Sequence, residues 1–214
     1  MLVTIIKLVA VLFYLYYLWK RLRDDYKTDW LISLGWVSLL GMLVGGRIVY
    51  GLVNWGIWNE NWVNWLMVFS HPGFNFLGGL LGWAIAVYLY NIESGWKNWA
   101  FMEDILPSFW IFLMIFLLGE LVASKGDIKV VFVFIPILIS FILGWLVSKK
   151  YRSFWWYKSG KKGFGFFFSM IVYGISRSVV GILIKESWPM MVVYAVISLV
   201  SIVGLFILGD ERRK

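Results

Sequence analysis

The chain contains no cysteine, a single histidine and four prolines, and only 15% of its residues are charged. Without cysteine it has no disulfide, no thiolate metal site, no cysteine nucleophile and no acceptor for cysteine lipidation. One histidine and no thiolate leave too few soft ligands for a metal centre, so no metal and no cofactor is expected. No glycine-rich phosphate loop or dinucleotide fingerprint is present either. A soluble domain of 214 residues needs many more charged side chains to cover its surface. Proline-broken pairs of spans, the mark of many transporters, are absent as well.

What is abundant is apolar: 61% of the residues are hydrophobic and 20% aromatic. They fall into blocks of roughly 18 to 25 residues, the length an α-helix needs to cross about 30 Å of hydrocarbon. Backbone groups in lipid must be satisfied internally, which makes such blocks helices. The ten-residue alternation of a transmembrane barrel is missing. The expected fold is therefore an all-α bundle of about seven transmembrane helices in one domain, 1–214. The spans are placed at 2–18, 30–53, 74–90, 99–122, 130–147, 164–184 and 189–208. The first is read as a retained anchor, because its basic residues follow the apolar run instead of preceding it.

The net charge of +8 sits in the connections, so it speaks for topology and anionic lipid and not for nucleic acid. One set of segments holds fourteen cations: Lys20, Arg21, Arg23, Lys27, Lys97, Lys149, Lys150, Arg152, Lys158, Lys161, Lys162, Arg212, Arg213 and Lys214. The opposite set holds three, Lys125, Lys129 and Lys185. This asymmetry places the N-terminus outside and the C-terminus in the cytoplasm of a plasma-membrane protein. Trp55, Trp58, Trp62 and Trp65 crowd the segment after the second span, where an outer aromatic belt belongs. Glycine-containing, basic 155–163 reads as a cytoplasmic loop.

Charged groups inside spans are costly and face a bundle interior, a water cavity or the headgroups. Lys7, Arg47, Glu120 and Arg177 all fall in the outer half of the bilayer on this topology. Lys7 suits snorkelling to the headgroups, and Glu120 suits solvation or pairing with a cation. Gly41, Gly45, Gly46, Gly78, Gly79 and Gly82 suit close helix packing, and His71 suits a polar loop. Arg47 and Arg177 call for an anionic partner, and a guanidinium fork matches phosphate oxygens. The residues alone thus point to a site for an anionic phospholipid headgroup, opening to the outer leaflet.

Several segments then resemble one family in order and spacing. They are Gly45-Gly46-Arg47-Ile48-Val49-Tyr50, the stretch from Pro72 through Asn75, Gly78 and Gly79 to Gly82, Asp104 with Pro107, and Gly163-Phe164 with Tyr173-Gly174-x-x-Arg177. Together they resemble the prolipoprotein diacylglyceryl transferases. That resemblance implies transfer of diacylglyceryl from phosphatidylglycerol to the cysteine thiol of a lipobox-containing secreted precursor, releasing glycerol phosphate. It implies that Arg47 and Arg177 hold the phosphate, with Tyr50, Asn75, Gly78, Gly79, Glu120 and Tyr173 lining the site. The chain departs from the family pattern at three places. The family histidine is Leu77, the signature Arg-x-Gly-Asn is Leu117-Leu118-Gly119-Glu120, and the late glutamate is Gly181. His71 replaces the missing base only if its loop folds inward. Three readings stand: a divergent transferase, an inactive relative that binds phospholipid or lipoprotein precursor, and a small transporter or assembly factor.

The absence of native cysteine makes the topology directly readable. A membrane-impermeant maleimide should label Lys129→Cys in intact cells and Lys150→Cys only after permeabilisation; the reverse pattern would invert the assignment.

Overall fold

The computed structural model describes residues 2–54, 73–94, 98–154, 157 and 161–210. His71, Pro72, the four tryptophans at 55–65, Lys97, Lys158, part of the 155–163 loop and the basic 212–214 tail lie outside the described residues. The described residues form helices α1 (Leu2–Leu22), α2 (Thr28–Val53), α3 (Phe76–Ser94), α4 (Asn98–Ala123), α5 (Ile128–Ser148), α6 (Phe164–Leu183) and α7 (Trp188–Asp210), with a short 3-10 turn at Tyr151–Ser153. No strand occurs among them. Each helix coincides with an expected span to within a few residues. Six are long and apolar enough to cross a membrane, and the described apolar stretch of the seventh, Phe76–Ile92 of α3, is shorter.

Contacts divide the chain into two compact units, Met1–Arg21 with Trp99–Lys214, and Leu22–Asn98. The smaller unit is the α2–α3 hairpin. Lipid tails are as apolar as leucine, so helices in a membrane associate by close backbone packing and polar contacts instead of hydrophobic expulsion. Gly41 and Gly45 on α2 meet Gly78 and Gly82 on α3, both pairs at a spacing of one helical turn. A Cβ added at Gly82 would lie 2.8 Å from the Gly45 Cα, and one at Gly45 2.7 Å from the Gly82 Cα. Neither position has room for a side chain. The outer faces carry leucine and valine to lipid, as at Leu40, Leu43 and Val44.

The larger unit is built on aromatic contacts and glycine seats. Tyr14 of α1 packs on Phe112 of α4, with ring centroids 5.5 Å apart. Trp99 of α4 packs on Phe167 of α6 at 4.7 Å, and Trp110 on Tyr173 at 5.3 Å. These contacts run in step, so α4 and α6 are parallel. Along α1, Lys7 bonds Glu120 and Tyr14 meets Phe112, so α1 runs antiparallel to α4. Serines within the helices donate to carbonyls about one turn back, as Ser140 does to Pro136 at 2.6 Å and Ser169 to Gly165 at 2.8 Å. Their hydroxyls therefore cost little in an apolar setting.

Two helix ends share one device. After α4 and again after α6 a lysine takes the left-handed conformation, Lys125 at φ 52° and Lys185 at φ 54°. The next residue turns its N–H back to a carbonyl five positions earlier, Gly126 to Leu121 at 2.9 Å and Glu186 to Gly181 at 2.8 Å. This is the Schellman stop, usually made with glycine.

The glycine contact is testable by its contrast with an uncrowded glycine. Gly82→Ala should lower stability by about 1–3 kcal/mol through overpacking. Gly209→Ala, whose Cβ would meet nothing nearer than 3.8 Å, should raise it by about 0.5–1 kcal/mol. Thermal melts in one detergent compare the two.

Candidate functional site

Arg177 lies on the inner face of α6 and is 4% exposed. Its Nη2 donates to Glu186 Oε1 at 3.0 Å, and its guanidinium sits 4.9 Å from the ring centre of Tyr194 on α7. Tyr173, one turn earlier on α6, meets Tyr194 edge-on with centroids 6.3 Å apart. Trp110 of α4 closes the far side of Tyr173. α7 can come this close because α6 carries Gly174, where a Cβ would lie 2.6 Å from the Tyr194 carbonyl oxygen.

Five polar atoms here are buried and, among the described residues, have no hydrogen-bond partner: Arg177 Nε and Nη1, Tyr173 Oη, Glu186 Oε2 and Trp110 Nε1. Buried polar groups are ordinarily paired, and one that is not costs about 1–3 kcal/mol. Glu186 holds the arginine without exhausting it, since a guanidinium has five N–H groups.

Glu186 is the residue that sequence reading overlooked. The acidic partner expected four residues after Arg177 is absent, because that position is Gly181. The Schellman turn folds the chain back over Gly181 and brings a carboxylate in from Glu186 instead. A Cβ at Gly181 would lie 3.3 Å from Glu186 Oε2, so a side chain there and the returning carboxylate compete for one space. The signal was available in the helix-stop rule, which puts the second residue past the cap against the third residue from the helix end.

Arg47 has a different setting, at the join of α2 and α3. It is 7% exposed, and its Nη1 donates to the Gly73 carbonyl at 2.8 Å. The Asn75 N–H donates to the Gly46 carbonyl at 3.0 Å, and the Gly78 N–H to Asn75 Oδ1 at 3.0 Å. Asn75 is thus the N-cap of α3, a position that favours asparagine. Tyr50 underlies Gly73, while Phe74 lies against both Gly46 and Gly79. Arg47, Tyr50, Asn75, Gly78 and Gly79 therefore come together as one clamp that fixes the start of α3.

Glu120 forms a third group. Its Oε1 accepts from Lys7 Nζ at 2.6 Å, with the two side chains 34% and 39% exposed. Of the two expectations for Glu120, solvation or pairing with a cation, pairing is found, and Lys7 is the cation; at that exposure the pair contributes little stability. Given the parallel run of α4 and α6, Glu120 and Arg177 lie toward the same end of the larger unit. Among the described residues no cluster of three or more His, Asp or Glu side chains could hold a metal ion.

The long apolar helices define a multi-pass α-helical membrane protein, with a buried arginine in each of its two units. The model of the prolipoprotein diacylglyceryl transferase family matches residues 2–126, more than half of the chain, and the chain belongs to that family. No curated protein matches it. The matched segment contains Arg47, Tyr50, Asn75, Gly78, Gly79 and Glu120, whereas Tyr173, Arg177 and Glu186 follow it. The departures noted in the sequence are inward-facing at two positions, since Leu77 is 4% and Leu117 6% exposed.

The Arg177–Glu186 pair makes a sharp stability prediction. Glu186→Ala should cost about 3–5 kcal/mol by stranding a buried guanidinium, while Arg177→Met with Glu186→Gln should recover most of that loss. Equal melts for Glu186→Ala and the parent would contradict the pairing.

Proposed function

We propose that this protein is a diacylglyceryl transferase-like enzyme of the plasma membrane, acting on phosphatidylglycerol and a lipobox-cysteine precursor at the outer leaflet. The observation that carries the reading is the buried Arg177, whose Nε and Nη1 lack partners beside Tyr173 and Glu186, in a chain of a family that uses those substrates. In the reaction a carbon–sulfur bond forms on the glyceryl group as its carbon–oxygen bond to phosphate breaks. The electron pair stays on the departing phosphate oxygen and the thiol releases its proton to the glycerol phosphate or to water, so charge develops on glycerol phosphate. A preorganised guanidinium in a dry site stabilises that charge far better than water does. Arg177, anchored by Glu186, supplies the fixed cation. Tyr173 lies beside it in the larger unit, and within the smaller unit Arg47, with Tyr50, Asn75, Gly78 and Gly79, is the other candidate that the family resemblance names.

A second reading has its own support. The inward-facing Leu77 and Leu117 put apolar groups where the family pattern has histidine and arginine, which favours a relative that binds anionic phospholipid or precursor without turning it over. The transporter reading finds no such support.

Purified protein, labelled phosphatidylglycerol and a lipobox-cysteine peptide decide between the two. Transfer should occur and should fall about 100-fold or more in Arg177→Lys and in Arg47→Lys, substitutions that keep a positive charge and disturb the fold least. Phosphatidylglycerol retained by folded protein without transfer would leave the binding reading in its place.

A further inference from the structure

A second basic site lies at the other end of the larger unit, where α1 and α5 end and α4 and α6 begin. α6 starts there at Phe164, thirteen residues before Arg177 and about 20 Å from it along the helix axis. A cleft of about 400 Å³ opens between these helix ends, lined by Arg21, Lys149, Arg152 and Lys162 and by two carboxylates, Glu103 and Asp104. Four cations against two anions leave a surplus of two positive charges.

The carboxylates are already engaged. Glu103 accepts the Gly163 N–H at the start of α6. Asp104 pairs with Lys162 at 3.5 Å, and its backbone carbonyl accepts from Arg21 Nε at 2.8 Å. Among the described residues no carboxylate pairs with Lys149 or Arg152. The Lys149 ammonium rests 3.5 Å from the ring centre of Trp145, an arrangement that holds a cation beside an apolar surface. The Arg152 guanidinium lies 5.9 Å from the ring centre of Tyr151; interaction with that phenol raises the arginine further, while burial pushes the Tyr151 phenol up.

The cleft is not bounded by polar surface alone. Trp145 of α5 lines it and is exposed, and Ile142, Leu143 and Leu146 of the same helix are exposed as well. A guest that satisfies both features is anionic at one end and apolar at the other. We propose that the cleft seats the phosphodiester of an anionic phospholipid from the leaflet on this side, with its acyl chains along the exposed face of α5. Lys149 and Arg152 bind the phosphate oxygens, and Ser148 on the cleft wall offers a hydroxyl. The site is independent of the transferase reading: it uses other residues, at the other end of the same helices.

Diffuse attraction between basic loops and acidic lipid is the competing account, and a charge-matched control separates the two. Lys149→Gln with Arg152→Gln removes two cleft cations. Lys20→Gln with Lys150→Gln removes two exposed cations that do not line it. Native mass spectrometry of the purified full chain, titrated with phosphatidylglycerol, phosphatidylcholine or soluble glycerol phosphate, reads the lipid copies retained. The cleft pair should lose one retained phosphatidylglycerol, or weaken it about tenfold or more. The control pair should retain it, and phosphatidylcholine should not fill the position. Equal loss in both pairs overturns the proposal in favour of diffuse attraction. Binding of glycerol phosphate as tight as that of the lipid overturns it in favour of a soluble anion. Unchanged melting temperatures of both variants without lipid confirm that folding is not what is being read.

Discussion

A guanidinium buried within an apolar bundle must be neutralised, and much of the larger unit follows from how this is done at Arg177. Desolvating the charge costs several kcal/mol, which attraction to a carboxylate offsets only when geometry is good and remaining groups find partners. Glu186 meets the first condition at 3.0 Å. The second is only half met, because Nε and Nη1 of Arg177 and Oε2 of Glu186 stay unpartnered among the described residues. Under the proposed function, an anionic headgroup supplies the missing partner for the arginine. The requirement reaches outward to Gly174, which lets Tyr194 close over the arginine. It also reaches the left-handed Lys185, which turns the chain so that Glu186 arrives.

The second arginine obeys the same constraint by another route. Arg47 donates from Nη1 to the Gly73 carbonyl, which ties its guanidinium to the backbone at the start of α3. The α2–α3 hairpin needs that clamp to hold its N-cap in place, and the glycine seam below brings the two helices to backbone contact. Packing occupies both glycines there: Gly78 faces Gly45 and Val49, and Gly79 faces Phe74 and Met42. At the lysine-rich end of the larger unit the balance differs again, with carboxylates engaged locally and cations left in surplus at an apolar rim.

Much of the fold was legible because a membrane imposes length and polarity on each span. Blocks placed at 99–122 and 164–184 became helices Asn98–Ala123 and Phe164–Leu183. The glycines at 41, 45, 78 and 82 were readable as packing from spacing alone. The burial of both arginines followed from the cost of charge in lipid, whereas Lys7, expected to reach for the headgroups, was not foreseen as the cation of Glu120. Glu186 was not legible from motif spacing, since a four-residue offset ends at Gly181 and the carboxylate returns only through a three-dimensional turn. The role of Asn75 was likewise hidden, because the same side chain can cap a helix or line a pocket and the sequence does not separate the two. The cleft around Lys149 and Arg152 gathers residues from four helix ends, which no local pattern reveals.

The most direct measurement is an experimental structure of the protein in lipid nanodiscs containing phosphatidylglycerol. The account predicts phosphate density within hydrogen-bond distance of Arg177 Nε or Nη1, with Glu186 still bonded to Nη2. Arg177 closed on Glu186 with both remaining donors bound to protein, and phosphate density nowhere near it, would contradict the account.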